Sequence, residues 1–194
     1  PEAGYETGWY RHVRMDLWLS AGGDRQVIED TLQRIENAKG YRYKPDAADT
    51  LLEYTYGNWV YEFVATGDKF FAAGELSENQ GNKEDAREYF AEASLYYTIA
   101  SYPHLRDEAS RAALAKAYES YRRAGRNFDV PMETWELTVD NVSFPVFLHF
   151  PPKTDGPMPV VLTTGGMDVL STEYYPIYAE MAKRGWAMVS FDMP

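Results

Sequence analysis

Residues 159–168 of this chain have the sequence PVVLTTGGMD, and they decide the fold. The run from residue 159 to residue 164 is continuous and consists of apolar and β-branched residues, which is typical of a strand buried on both faces of a parallel sheet. Gly165 and Gly166 end that run sharply. The stretch therefore predicts a central strand followed at once by a turn.

A helix and a second strand are predicted to follow this turn. Ser171 or Thr172 is the predicted N-cap of a helix that extends to Lys183, and residues 186–191 form another apolar run. Strand, helix and strand make a βαβ unit, whose crossover is long enough for parallel pairing and is expected to be right-handed.

Two antiparallel strands are predicted before this unit, because the apolar period changes to two after Phe128. Trp135, Leu137 and Val139 alternate with polar neighbours, and residues 144–150 alternate again. This pattern predicts a β-hairpin or two adjacent antiparallel strands.

From Trp9 to about Arg126 the apolar period is that of helices. Five helices are predicted, with Asp24 and Asp107 as N-caps and with Gly57 and Gly67 both inside the third helix, where they favour a kink or close packing. The predicted domains are therefore a helical cap over residues 1–127 and the start of a sheet domain over residues 128–194.

Composition excludes several classes of protein. The net charge is −11 and the basic residues are scattered, so nucleic acid is not an expected partner. No apolar run reaches the ~20 residues of a membrane helix, so no membrane contact is expected. The chain has no cysteine, which favours a reducing compartment, and we expect a cytoplasmic location. Because it begins without methionine and ends just after a predicted strand, we expect a fragment of a longer chain.

The order of these elements is that of the opening of an α/β-hydrolase, whereas a dinucleotide-binding fold would more often begin with the parallel strand and G-x-G-x-x-G. In that fold the loop after this strand supplies an N–H group of the oxyanion hole. Gly166 and Met167 are the candidate donors, with Gly165 and Asp168 completing the loop. The alternative is an ordinary strand-to-helix turn in which glycine merely permits the bend.

The catalytic triad is not expected within this chain. No G-x-S-x-G occurs in it, and the nucleophile should follow only after one more helix and strand. The acid and the histidine normally come later still, so the nucleophile, acid and base are all predicted to lie outside residues 1–194.

The three histidines give little support for a metal site, since His12, His104 and His149 are far apart and none has a partner one helical turn away. We predict no metal. The alternation around His149 predicts an exposed or half-exposed side chain. His104 follows a helix stop and either lines a cavity or makes a structural hydrogen bond. Together with Trp59 and Tyr102, it is a candidate for substrate binding, although most aromatic residues at helical spacing are expected in the core.

The chain resembles the FrsA esterase family (fermentation/respiration switch protein) over nearly its whole length. The segments that carry this resemblance are WYR at 9–11, GNWVYE at 57–62, YTIASYPHL at 97–105, PVV at 159–161, GMD at 166–168 and FDMP at 191–194. The resemblance implies a helical cap followed by an α/β-hydrolase domain with a Ser, Asp and His triad. Only the loop from Gly165 to Asp168 can be carried over, because the family chain continues beyond Pro194.

The resemblance further implies hydrolysis of a carboxylic ester through an acyl-enzyme, without metal or organic cofactor. In the related polyketide-shortening branch it implies cleavage of a carbon–carbon bond next to a carbonyl. The expected partners are a small ester or ketone, hydrophobic or aromatic, and the remainder of the hydrolase domain; a homodimer is a further option. The rival hypothesis is a non-catalytic regulatory module, which predicts a contiguous exposed apolar patch on the helices.

Overall fold

The computed structural model describes Trp9 and residues 13–40, 42, 47–48, 53–102, 107–153, 156–166 and 169–192. The helices are α1 (Met15–Ser20), α2 (Arg25–Asn37), α3 (Trp59–Asn79), α4 (Lys83–Ser101), α5 (Glu108–Gly125) and α6 (Tyr175–Lys183). The strands are β1 (Met132–Val139), β2 (Val142–His149), β3 (Val160–Thr164) and β4 (Ala187–Phe191), and a 3₁₀ turn over Ser171–Tyr174 precedes α6.

The predicted helix caps are confirmed. The Asp24 carboxylate accepts a hydrogen bond from Val27 N at 3.0 Å, and the Asp107 carboxylate accepts one from Ser110 N at 2.7 Å. Each bond satisfies one of the N–H groups that a helix leaves unpaired in its first turn. Asn58 caps α3 in the same way, through Tyr61 N at 3.2 Å.

The two glycines assigned to the third helix differ. Gly67 does lie within α3, where an added Cβ would come within 2.6 Å of the Tyr97 ring, so close packing explains it. The placement of Gly57 inside the helix was wrong. Gly57 has a φ of +83° and lies in the turn before Asn58, a backbone conformation that favours glycine.

The helical part of the molecule (residues 13–126) is built around α4, which packs against both α3 and α5. Its core consists of large side chains with almost no exposed surface: Trp18, Ile28, Ile35, Phe63, Phe90, Tyr96, Tyr97 and Ile99. Because apolar burial is the main favourable term in folding, this cluster is what holds the helices together. None of the described helices has the length and apolarity needed to cross a membrane.

The sheet part (residues 132–191) has the strand order β1-β2-β4-β3. β1 and β2 form the predicted hairpin, whose turn residues Asp140 and Asn141 both have positive φ, as a two-residue turn between right-twisted strands requires. β4 pairs antiparallel with β2 and parallel with β3, which confirms the βαβ unit.

Two details of that unit were predicted wrongly. β3 is not buried on both faces: it lies at the edge of the described sheet, and Val160 and Leu162 are 54% and 69% exposed. Neither Ser171 nor Thr172 caps α6, which begins only after the 3₁₀ turn. An apolar run shows that a strand can be buried, but it does not show which neighbours cover it.

Candidate functional site

The candidate site is the loop that follows β3 (residues 165–170, here the β3 loop), at the carboxyl ends of the parallel strands β3 and β4. In open α/β sheets this edge is where ligands bind. Gly165 is buried, and its N–H donates to Phe191 O at 3.4 Å. A Cβ at this position would overlap the Val169 carbonyl oxygen and lie 2.5 Å from Asp192 Oδ1. Only glycine therefore fits where the β3 loop begins.

Of the two predicted oxyanion donors, the structure describes Gly166. Gly166 is exposed, and an added Cβ would meet nothing within 4 Å, so its backbone borders open space. Met167 and Asp168 lie outside the described residues. The role of this loop in oxyanion binding remains a prediction.

Asp192 follows β4 directly and holds the far end of the β3 loop. Its Oδ1 accepts a hydrogen bond from Ser171 N at 2.8 Å, and its Oδ2 accepts one from Ser171 Oγ at 2.9 Å. Oδ2 also accepts a hydrogen bond from the Tyr118 hydroxyl of α5 at 2.7 Å. Burial raises the pKa of Asp192 above its ordinary value, while the bonds from Tyr118 and Ser171 act in the opposite direction.

A second buried carboxyl group lies beside this one. Glu173 is 7% exposed and accepts a hydrogen bond from Leu170 N at 2.6 Å. Burial raises the pKa of Glu173 to about 7; the Leu170 bond and the charge of Arg14 oppose that rise, and the Asp192 charge adds to it. Two acidic groups with unlike hydrogen-bond environments thus flank the end of the loop.

Sequence reasoning missed Tyr118, Glu173 and Asp192. The available signal was weak: an aspartate directly after a buried strand lies at the ligand-binding edge of the sheet. Nothing in the local pattern indicated that Tyr118, 74 residues earlier, would be its partner.

The candidate substrate-binding aromatics Trp59 and Tyr102 do lie together. Their ring centroids are 6.5 Å apart, and both contact Trp18. Trp59 is 5% exposed and donates its indole N–H to Ile99 O at 2.7 Å, so its side chain belongs to the helical core. Tyr102 is half-buried beneath Arg14, whose guanidinium carbon lies 5.8 Å from the ring centroid. His104, the third candidate, lies outside the described residues.

The prediction that His149 is exposed or half-exposed was wrong. The side chain is fully buried, and its Nε2 lies 2.9 Å from the Tyr121 hydroxyl, which can bond to it. The alternation placed His149 on the opposite face from Leu148 correctly, but α5 and α6 cover that face through Tyr121 and Tyr175. Burial lowers the pKa of His149 to about 4, so the ring is neutral at physiological pH.

The described residues contain no group of three or more acidic, histidine or cysteine side chains arranged to hold a metal ion. His12 lies outside the described part of the chain. A separate cavity of about 340 Å³ lies between α3 and α5 and is lined by Tyr54, Val64, Glu108, Ala109, Ala112, Ala113 and Lys116. None of these side chains belongs to the β3 loop.

The chain is similar to curated esterases over part of their length. It is 33% identical over 191 residues to Esterase FrsA of Photobacterium profundum and 37% identical over 193 residues to Esterase FrsA of Salmonella paratyphi B. These matches cover 97% and 96% of this chain but only 45% of each relative. The chain thus spans about half the length of the curated relatives it matches.

Two solved structures show the fold. A 2,6-dihydroxy-pseudo-oxynicotine hydrolase matches 93% of this chain and 46% of its own, with a TM-score of 0.69 at 20% identity. AbyA5 matches 88% of this chain and 40% of its own, with a TM-score of 0.56 at 22% identity. At this identity the likeness concerns architecture alone, and that architecture is the predicted one, an α/β-hydrolase fold with helices before the sheet.

The model of the FrsA-like esterase family, described as Esterase FrsA-like, matches residues 3–194. This match includes the helices, the hairpin and the βαβ unit with its β3 loop. The chain belongs to the FrsA-like esterase family.

Proposed function

We propose that the protein to which this chain belongs is a serine carboxylesterase, in which residues 1–194 supply the helical cap and the oxyanion loop. The observation that carries the proposal is the β3 loop: Gly165 fits only as glycine, and the loop begins at the carboxyl edge of β3 and β4, against Asp192. Asp192 in turn accepts a hydrogen bond from Tyr118 of α5. Family membership supports esterase chemistry.

The proposed chemistry follows from what acyl transfer requires. A serine from the remainder of the hydrolase domain attacks the ester carbonyl, and negative charge develops on the carbonyl oxygen. A backbone N–H group of the β3 loop, from Gly166 or Met167, donates to that oxygen. The serine proton passes through a base of the same remainder to the alcohol, which leaves to give an acyl-enzyme. Water then releases the acid. Preorganised donors of this kind cost no reorganisation at the moment of reaction, which is why they stabilise the transition state strongly.

The role proposed for the helices is to exclude water from this edge of the sheet and to shape the acyl pocket. Of the two aromatic candidates for this pocket, Trp59 is buried in the helical core, whereas Tyr102 is half-buried. The substrate is proposed to be a small hydrophobic or aromatic ester. Cytoplasmic location and a homodimer remain predictions of the same proposal.

The first experiment is intact mass spectrometry of the full-length protein before and after treatment with a fluorophosphonate, which phosphonylates activated serines. We expect one added phosphonyl group and turnover of p-nitrophenyl acetate. A full-length protein that gains no adduct and hydrolyses no ester would contradict the proposal and favour the regulatory module.

A pair of glycine variants tests the loop itself. Gly165→Ala should lower kcat for p-nitrophenyl acetate about 100-fold, the size of effect that follows loss of one oxyanion donor, because the methyl group displaces the loop. Gly67→Ala is the matched control, since its methyl group also meets a packed neighbour, the Tyr97 ring at 2.6 Å, but far from the loop in sequence. It should lower the melting temperature and leave kcat unchanged. Equal kcat values for the two variants would contradict a role of the β3 loop in catalysis.

Product analysis separates ester hydrolysis from the alternative carbon–carbon cleavage. A p-nitrophenyl ester should give only the acid and the phenol, and a β-diketone incubated with the enzyme should remain intact. Cleavage of the diketone at a rate above that of the ester would favour the alternative.

A further inference from the structure

One carboxylate joins three segments that are distant in the sequence. Asp192 follows β4, Ser171 directly follows the β3 loop and begins the 3₁₀ turn, and Tyr118 lies on α5. The three hydrogen bonds that meet at Asp192 measure 2.7, 2.8 and 2.9 Å, all within the normal range for protein hydrogen bonds.

The same carboxylate also touches the start of the loop. Gly165 packs so closely against Asp192 Oδ1 that a Cβ would lie 2.5 Å from it, and Gly165 N–H donates to the carbonyl of Phe191, the residue before Asp192. Both ends of the β3 loop are therefore fixed to the end of β4. The residues between them, 166–170, include the proposed oxyanion donors.

Tyr118 is the contribution of the helical part to this arrangement. Its hydroxyl must donate, because burial and the neighbouring Asp192 raise the pKa of Tyr118 and keep it protonated. Its ring packs against Phe147 of β2 with centroids 5.7 Å apart, which limits its rotamers. A shift of α5 relative to the sheet would consequently displace the Asp192 carboxylate, to which both ends of the β3 loop are fixed.

We propose that Asp192 is a positioning residue for catalysis, through which Tyr118 of the helical part sets the geometry of the oxyanion loop. The inference rests on the proposed function. It assigns no contact with substrate to Asp192; the carboxylate acts through Ser171 and Gly165. Because the strength of oxyanion donors depends on their placement to within a fraction of an ångström, loosening the loop should affect the transition state more than substrate binding.

The test uses the full-length protein and p-nitrophenyl acetate. Tyr118→Phe removes one hydrogen bond to Oδ2 and should lower kcat about tenfold while KM changes less than about twofold. The rate of phosphonylation by a fluorophosphonate should fall by a similar factor, since that reaction also builds charge on an oxygen in the hole. Ser171→Ala removes the other hydroxyl bond to Oδ2 and should lower kcat by about threefold.

Tyr97→Phe is the matched control. The Tyr97 hydroxyl also donates to an aspartate, Asp68 Oδ1 at 2.6 Å, and it also lies on a helix, but both groups belong to the helical part. This variant should lose a comparable amount of stability and keep its kcat. The pair thus separates loss of a partly buried Tyr–Asp bond from loss of loop geometry.

The outcomes are distinct. If the wild-type protein neither turns over the ester nor becomes phosphonylated, the proposed function fails and the inference fails with it. If the wild type is active and Tyr118→Phe matches Tyr97→Phe in kcat, only the inference is overturned. Should Tyr118→Phe prove too unstable to assay, Ser171→Ala decides, and an unchanged kcat there overturns the inference.

Discussion

The helical part and the sheet part differ in how completely they bury their apolar residues. In the helical part Trp18, Phe63 and Tyr96 are 0–1% exposed, and few large apolar side chains are as exposed as Tyr56, at 75%. In the sheet part Leu162 is 69% exposed and Trp135 is 51% exposed. Apolar residues recur at regular spacing in both regions, but more of them are exposed in the sheet part.

This difference follows from how helices and sheets satisfy their backbones. A helix makes its hydrogen bonds within one segment, so a few consecutive helices can close a core among themselves. A strand needs a neighbour at each edge and cover on each face. Among the described residues β3 pairs only with β4. Its apolar side chains are therefore less buried than its sequence pattern predicts.

The largest expected effect compares one tryptophan from each region. Trp59→Ala should destabilise the protein by about 3–5 kcal/mol, because it opens a cavity and leaves Ile99 O without its indole donor. Trp135→Ala, at a side chain that is 51% exposed, should cost less than about 1 kcal/mol. Urea unfolding followed by circular dichroism measures both.

A further variant tests whether Trp59 binds substrate. If Trp59 acts only in the core, a conservative Trp59→Phe variant should lose stability with an unchanged KM for p-nitrophenyl acetate. A raised KM without loss of stability would instead place Trp59 against the substrate.

The next effect concerns His149, where the two regions meet. Burial lowers the pKa of His149 to about 4, from an ordinary 6.5. Between these values the unfolded chain binds the proton and the folded chain does not, so this contribution to stability is complete above pH 6.5 and is lost as the pH falls toward 4. A shift of this size corresponds to about 3 kcal/mol.

The measurement is the free energy of unfolding against pH for the wild type and for His149→Phe, a substitution of similar shape. The variant should lose the rising slope between pH 4 and 6.5. Identical slopes for the two proteins would show that His149 is accessible to protons in the folded state.

Glu173 should give the opposite sign. Burial raises the pKa of Glu173 to about 7, so the folded state holds a proton that the unfolded chain releases above its ordinary pKa of 4.5. The stability linked to this group is complete below pH 4.5 and is lost as the pH rises through 7. Glu173→Gln keeps an acceptor for Leu170 N and should stabilise the protein at pH 8 by up to about 3 kcal/mol.

Glu92 is the matched control, because burial raises the pKa of this carboxyl to about 7 as well, within the helical part. Glu92→Gln should flatten the pH dependence in the same range but leave kcat unchanged. If Glu173→Gln does not stabilise the protein at pH 8, the surrounding groups offset the cost of burying the Glu173 carboxylate.

Much of the fold was predictable because it depends on local patterns in the sequence. Helical periodicity, the caps Asp24 and Asp107, and the pairing of β1 with β2 each depend on residues close to one another in the sequence. Those predictions needed no knowledge of the tertiary structure and, apart from the placement of Gly57 inside the third helix, they are confirmed.

The two errors about burial have a common physical cause. The exposure of β3 and the burial of His149 both depend on which distant element covers a strand. The Tyr118–Asp192 bond joins residues 74 positions apart, and the loop it helps to hold was predicted from its glycines alone. Local sequence determines which face a side chain occupies but does not determine what lies opposite that face.

The smallest expected effect tests whether β3 is covered in the full-length protein. In the 194-residue chain Leu162→Lys should change stability by less than about 0.5 kcal/mol, since the side chain is already 69% exposed, and it should reduce aggregation by charging an edge strand. Light scattering against protein concentration measures the second effect. Leu76→Lys, at a residue of α3 that is 59% exposed, is the control and should leave aggregation unchanged.

In the full-length protein Leu162→Lys should cost more than about 2 kcal/mol if further strands and helices bury this position, because an unpaired charge would then be taken out of water. An equally small cost in both proteins would mean that β3 remains an exposed edge and that the contrast between the two regions is intrinsic to the fold.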